Sequence, residues 1–194
     1  ILDGFWITGG NAVSPVVDFT QLSGGGVYNN GIGGRCIPVL RNLIISGNNA
    51  LSGGGMTNDG LAGLSSPTII NCIISGNTCI GGGAGMENQG RFGVSNPVIT
   101  NCIISGNSSD NTGGGMYNNT GPGICKPVIT NSVFWNNYAK TSDSIIAQND
   151  PYRENGNIDT NVTIITHSII QPGHLPIYVD ITDLSIKRSD PLFL

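Results

Sequence analysis

A repeat of about thirty residues is the feature that most limits what this chain can fold into. Pro38, Pro67, Pro97 and Pro127 are separated by 29, 30 and 30 residues. Each proline opens a similar string: PVLRNLIISGN, PTIINCIISGN, PVITNCIISGN and PVITNSVFWNN. Short apolar bursts between Gly, Asn and Pro indicate strands and tight turns, and no segment shows helical periodicity. A repeat of this length therefore predicts a solenoid whose coils stack on one another.

Composition supports an all-β chain. Gly accounts for 30 of the 194 residues, which is about twice its usual share, and only 10% of residues are charged. Gly and Asn are poor helix formers, whereas Ile and Val favour strands. We therefore predict a parallel β-helix of about six coils, with about thirty residues and three short strands in each coil.

Parallel stacking brings the same position of successive coils together, so the repeat also predicts the core. The predicted columns are Leu40, Ile69, Ile99 and Ile129, then Leu43, Cys72, Cys102 and Ser132, then Ile45, Ile74, Ile104 and Phe134. The C-terminal string IITHSIIQPG fits the same columns and places His167 at the turn position of Asn131. If these columns face the core, alternation along the strands places an apolar stripe on the outside, formed by Trp6, Ile44, Ile73, Ile103 and Val133.

Two sets of asparagines recur once per coil. The first set is Asn29, Asn58, Asn88 and Asn118, and the second is Asn48, Asn77, Asn107 and Asn137. We expect the first set to end its strands, since Asn tolerates the left-handed conformation, and its amides to bond from coil to coil as a ladder. We expect the second set to turn each coil together with the preceding Gly. Both sets are predicted to be scaffold.

The cysteines and the charge pattern exclude several classes of protein. Neither a CxxC pair nor a zinc spacing with His occurs among Cys36, Cys72, Cys79, Cys102 and Cys125, so we predict free, mostly buried thiols and no metal site. A net charge of −4 with only eight scattered Lys and Arg argues against nucleic-acid binding. No apolar run approaches the roughly 18 residues of a membrane helix.

The chain is predicted to be one β-helix domain over 1–194, with regular coils at 1–137, a longer loop or insertion at 138–160 and irregular coils at 161–194. It begins with ILDGFWITGG and ends with DPLFL, and both segments are strand-like. Bare strand edges promote association. We therefore expect the rest of a longer protein, or a partner, to cover the ends of the solenoid.

The GGGM-x-N and IISGN elements resemble the GGA-I and F-x-x-N repeats of the polymorphic outer-membrane proteins, and the PTITNC…SGN…GGGIYN repeats of many secreted bacterial proteins. Both groups belong to the right-handed parallel β-helix, or pectin-lyase-like, superfamily. The resemblance covers residues 1–137 strongly and 160–194 weakly. It implies a right-handed coil and an extracellular or bacterial cell-surface location. It identifies no activity, because adhesins and polysaccharide-active enzymes share such repeats.

No catalytic residue is predicted. An enzyme of this superfamily would need a carboxylate cluster for calcium with a basic residue, or several close Asp with a His. Within 35–137 the acidic residues are Asp59, Glu87 and Asp110, and we place Asp59 and Glu87 on opposite faces of their strands. The region after Asn137 is richer in charge and is the candidate location for any enzymatic site, with Asp183 and Asp190 as residues to test.

Binding is favoured over chemistry. The segments GIGGRC, LAGLSS, RFGVSN and GPGICK vary on a repeating scaffold, which is how solenoids present binding faces. We expect exposed aromatic residues to stack on sugar rings, namely Trp6, Tyr28, Phe92 and Tyr117. The favoured function is a cofactor-free scaffold, adhesin or glycan-binding module whose partner is a polysaccharide or a host or cell-surface ligand. The alternative is a lyase or hydrolase of acidic polysaccharide, for which calcium is the candidate cofactor.

Overall fold

A computed structural model describes residues 1–13, 22–141, 145–149, 162–171 and 179–180. These residues form short strands joined by turns, with no helix among them. The strands pair in parallel from one coil to the next. The predicted all-β class and the parallel solenoid are therefore confirmed. A helix of the length and apolarity needed to span a membrane is absent from these ranges.

Four main sheets run along the solenoid, and each coil adds one strand to each sheet. The first sheet contains Leu2–Asp3, Val39–Arg41, Thr68–Ile70, Val98–Thr100, Val128–Thr130, Thr163–Thr166 and Val179–Asp180. The second contains Trp6–Thr8, Ile44–Ser46, Ile73–Ser75, Ile103–Ser105, Val133–Trp135 and Ile169–Ile170. The third contains Asn11–Ala12, Asn49–Ala50, Thr78–Cys79, Ser108–Ser109 and Tyr138–Ala139. The fourth contains Val27–Asn30, Met56–Asp59, Met86–Gln89, Met116–Asn119 and Ile146–Asn149, and a smaller fifth sheet pairs Arg35–Cys36 with Leu64–Ser65.

The number of coils and the number of strands per coil differ from prediction. The structure shows about four turns rather than six, because the uninterrupted stretch 22–141 holds the complete coils and the segments outside it add single strands to the sheets. Each coil has four main strands rather than three. The additional strand follows a turn at a left-handed glycine, such as Gly76 with φ of 61°, after which two residues pair along the third sheet.

The core consists of columns that run from coil to coil. Ile69 pairs with Leu40 on one side and Ile99 on the other, and all three side chains are buried. Equivalent columns are formed by Ile45, Ile74, Ile104 and Phe134, and by Met56, Met86 and Met116. Burying an Ile or Met side chain in this way contributes about 1.5–3 kcal/mol. The prediction of which residues in these strands face the core is confirmed, and the outward-facing stripe from Trp6 to Val133 is partly exposed.

The turn between the first and second sheets uses a left-handed residue in every coil. Asn42, Asn71, Asn101, Asn131 and His167 have φ between 48° and 54°. Asn occupies this conformation at less cost than most residues. His167 lies at the predicted turn position, one strand beyond Asn131. The next residue, Cys72 or Cys102, returns to the core as a buried free thiol, and the Cys72 N–H donates to Cys102 Sγ at 3.4 Å.

The two asparagine sets form buried columns. In the first, Nδ2 of Asn29, Asn58 and Asn88 donates to Oδ1 of the next member at 2.7, 2.8 and 2.7 Å. In the second, Nδ2 of Asn48, Asn77 and Asn107 donates likewise at 3.0, 3.0 and 2.9 Å.

One prediction for the first set is wrong, because its members lie inside four-residue strands rather than at left-handed strand ends. An extended backbone keeps each amide pointing inward on the same parity as Met, where the neighbouring coils supply its partners.

Candidate functional site

Two rows of polar side chains cross the outer face of the fourth sheet. In each strand the Met and Asn positions face the core, so the second and fourth residues face outward. The upper row, in register across four coils, is Tyr28, Thr57, Glu87 and Tyr117. The lower row is Asn30, Asp59, Gln89 and Asn119. These rows bring together residues that lie about thirty positions apart in the sequence.

Asp59 and Glu87 share this outer face, so the prediction that they face opposite ways is wrong. Asp59 follows the core residue Asn58, and Glu87 precedes the core residue Asn88. Both are therefore one position away from an inward residue, and alternation in a strand places both outside. In register, Glu87 lies beside Thr57 and Asp59 lies beside Gln89.

The glycine runs fold back against the upper row and cover it. Gly53 has φ of 61°, and a Cβ there would collide with Thr57 Oγ1, while a Cβ on Gly82 would come within 2.5 Å of the Tyr117 ring. Only residues without a side chain allow this approach. As a result, Thr57 and Glu87 are only 1% and 6% exposed although they face outward. Tyr28 and Tyr117 are half-buried rather than exposed as predicted.

A cavity of about 190 Å³ opens between these rows. Its wall combines apolar side chains, a phenol, hydroxyls, an amide and two carboxyl groups: Ser23, Tyr28, Ile32, Thr57, Asp59, Leu61, Glu87 and Gln89. A concave site with a few convergent polar groups is typical of ligand-binding pockets. The cavity is therefore the candidate functional site.

Asp59 is held in place by two hydrogen bonds. Its Oδ2 accepts the Tyr28 hydroxyl at 2.7 Å, and its Oδ1 accepts the Leu61 backbone N–H at 3.0 Å. The second bond closes an Asx turn that positions the next loop. Burial, followed by the bond to Asp59, raises the pKa of Tyr28 well above its ordinary value, so the hydroxyl stays a donor.

Glu87 is the buried titratable group of the pocket. Burial and, to a smaller extent, the negative charge of Asp59 together raise its pKa from 4.5 to about 8, against the opposing effect of the Thr57 hydroxyl bond. That bond, from Thr57 Oγ1 to Glu87 Oε2, is long at 3.5 Å. Its other oxygen, Oε1, accepts no hydrogen bond from the described part of the chain. At neutral pH the group is therefore mostly a protonated carboxyl that can donate a hydrogen bond.

The four predicted aromatic residues occupy three different places. Tyr28 lines the cavity, and Tyr117 lies in the same row beside Glu87. Phe92 lies on the adjoining loop, 60% exposed, with a left-handed φ of 55° and the Arg91 guanidinium 5.2 Å above its ring. Arg91 joins this loop to the pocket through its backbone N–H, which donates to Gln89 Oε1 at 3.4 Å.

Trp6 does not belong to the pocket. It lies on the second sheet, 70% exposed, and its indole N–H donates to Ser46 Oγ at 2.8 Å.

Asp59, Glu87 and Gln89 were not predicted as site residues. Their positions relative to the inward Asn column were the signal that could have identified them. Asp183, Asp190 and most of 138–160, in the candidate region after Asn137, lie outside the described residues. Within the ranges that the structure covers, no group of three or more His, Cys, Asp or Glu is arranged to hold a metal ion.

Comparison with protein-family models, with curated proteins and with solved structures found no match to this chain. The parallel solenoid therefore rests on the strand pairing itself, and the candidate site rests on the geometry of the pocket.

Proposed function

We propose that this chain is a binding module of a secreted or cell-surface bacterial protein and that it binds carbohydrate in the pocket of the fourth sheet. In this proposal the solenoid is a right-handed β-helix of the pectin-lyase-like kind that its motifs resemble. The observation that supports binding most directly is the cavity itself, which joins a tyrosine, an amide and two carboxyl groups in one concave wall.

The pocket chemistry suits a sugar. Sugar hydroxyls need both donors and acceptors, which the protonated Glu87 and the Gln89 amide provide. Aromatic rings provide flat apolar surfaces for the C–H faces of sugar rings, and Tyr28 and the exposed Phe92 lie at or beside the cavity. The volume of about 190 Å³ suits one sugar unit or a side group better than a long chain.

A second candidate function is glycoside hydrolysis, which the pair of carboxyl groups favours. Glycosidases combine a carboxylic acid of raised pKa with an ionised carboxylate, and Glu87 has the first property. Asp59, however, already accepts hydrogen bonds at both oxygens, from Tyr28 and Leu61. We therefore place binding first. A turnover assay on neutral and acidic polysaccharides, with Glu87→Gln as the inactive control, tests hydrolysis.

A glycan array tests the binding proposal. We expect binding by the wild-type chain, a loss of at least about tenfold in Gln89→Ala, and no change in Tyr138→Phe. Tyr138 is a suitable control because it is an exposed tyrosine of the third sheet, outside the pocket. Absence of binding to any glycan, or equal losses in the two variants, would contradict the proposal.

A further inference from the structure

The pocket has two carboxyl groups without a matching positive group. Asp59 and Glu87 line the same cavity, and the described residues of its lining include no Lys or Arg. Among the residues that the structure describes, the one ion pair joins Arg41 to Asp3 elsewhere on the solenoid. Arg91, on the adjoining loop, places its guanidinium over the Phe92 ring. A bound ligand is therefore the available source of positive charge.

Glu87 also has an unused acceptor. Its side chain is 94% buried, since 6% is exposed, and Oε1 has no partner in the described ranges. Buried polar atoms are almost always hydrogen-bonded, so an unpaired one beside a cavity points to a missing group. An ammonium group offers three N–H donors and a charge.

A metal ion fits this pocket less well than an ammonium does. Both oxygens of Asp59 already accept hydrogen bonds, and Gln89 Oε1 accepts the Arg91 N–H. A divalent cation such as calcium takes six to eight oxygen ligands. An anionic ligand would be repelled by Asp59.

We propose that the ligand presents a primary ammonium to Glu87, as a sugar with a free amino group does. The inference rests on the proposed function and specifies its ligand class. On binding, the O–H bond of the Glu87 carboxyl breaks and its proton passes to solvent. The resulting carboxylate accepts an N–H of the ammonium, and no oxidation or reduction takes place.

The surroundings of Glu87 make it the group that titrates near neutral pH. Among the residues with described positions, the titratable groups that face it are Asp59 on the preceding coil, Tyr28 one coil further, Tyr117 on the following coil and Cys79 in the third sheet. Burial raises the pKa of Cys79 to about 11, and burial also raises the pKa of Tyr28 well above its ordinary value. Binding of a cation then releases a proton below about pH 8, so affinity rises as the pH approaches that value.

Calorimetry with 6-amino-6-deoxyglucose, its N-acetyl derivative and glucose tests the inference. The alkylammonium stays charged from about pH 6 to about pH 8. At pH 7 we expect the amine to bind at least about tenfold more tightly than the two neutral sugars. Titrations in buffers of different ionisation enthalpy should show close to one proton released at about pH 6 and fewer at about pH 8.

Two variants distinguish the effect of the Glu87 carboxyl group in the pocket from the general effect of removing a negative charge from the protein. Glu87→Gln should lose the preference for the amine and the proton release, whereas Asp110→Asn, which removes an exposed carboxylate, should change neither. Far-UV circular dichroism verifies that both variants fold. Equal affinity for glucose and the amine overturns the inference and leaves carbohydrate binding standing. Proton release by calcium chloride alone, or array binding confined to amine-free glycans, also overturns it.

Discussion

Replacing Glu87 by Gln should remove a pH dependence of folding stability. The folded chain holds the Glu87 proton up to about pH 8, whereas an unfolded chain releases it near 4.5. Between these values the folded state binds more protons than the unfolded state. The contribution of Glu87 to stability therefore falls as the pH rises through this window and is constant outside it. Gln has a similar shape and no proton to lose, so its variant lacks this contribution.

The two pKa values determine the size of the effect. Each pH unit between 4.5 and about 8 removes about 1.4 kcal/mol of unfolding free energy, for a total of about 5 kcal/mol. The stability of Glu87→Gln relative to wild type should therefore increase by up to about 5 kcal/mol between pH 4 and pH 8. The side chain is almost fully buried, so solvent screening reduces this value little.

Urea unfolding at half-unit pH intervals, followed by circular dichroism, measures this difference. Asp110→Asn is the matched control, because its carboxylate is exposed and outside the pocket. Parallel stability curves for wild type and Glu87→Gln across pH 4 to 8 would refute the reasoning. A difference that grows as the pH falls would refute the sign.

Three further predictions concern the scaffold and are checked by the same urea unfolding at fixed pH. Met86→Ala should cost about 2–5 kcal/mol, because it leaves a cavity in a fully buried column; a loss below about 1 kcal/mol would contradict this packing. Asn88→Ala should cost about 2–5 kcal/mol, since it leaves the amides of both neighbouring coils without a partner; Asn96→Ala, outside the columns, should cost less. Gly55→Ala should cost at least about 1–3 kcal/mol, because its Cβ would lie 2.6 Å from the Gly85 carbonyl oxygen, whereas Gly34→Ala meets nothing closer than 3.8 Å; equal costs would show that coil spacing does not require glycine.

The core was predictable because, in a parallel stack of coils, residues one repeat apart in the sequence lie in contact in adjacent coils. Ile69, Ile74 and Met86 each lie next to the residues one period before and after them. Neither the third sheet nor its two-residue strands could be predicted in this way. Those strands, such as Thr78–Cys79, are too short to show an alternation of polar and apolar residues.

The candidate site was harder to predict for two physical reasons. Alternation along a strand indicates which way Glu87 points, but its burial depends on how the glycine run folds back against the sheet. The pocket also joins residues from different coils, and nothing in the repeat sets Tyr28, Asp59 and Glu87 apart from the other variable outward positions. Phe92 was identified as exposed from its variable segment, whereas the half-burial of Tyr28 was missed.

The asparagine columns have a direction. Each bond between neighbouring asparagines in the two columns runs from the Nδ2 of one coil to the Oδ1 of the next coil toward the C-terminus. Their dipoles therefore add along the axis, and each bond polarises the next. The substitution Asn88→Asp would keep an oxygen that accepts from Asn58 Nδ2 but would remove the hydrogen that Asn88 donates to Asn118 Oδ1. The damage should consequently spread toward one end of the solenoid, so that hydrogen exchange speeds up on the C-terminal side of the substitution before the N-terminal side.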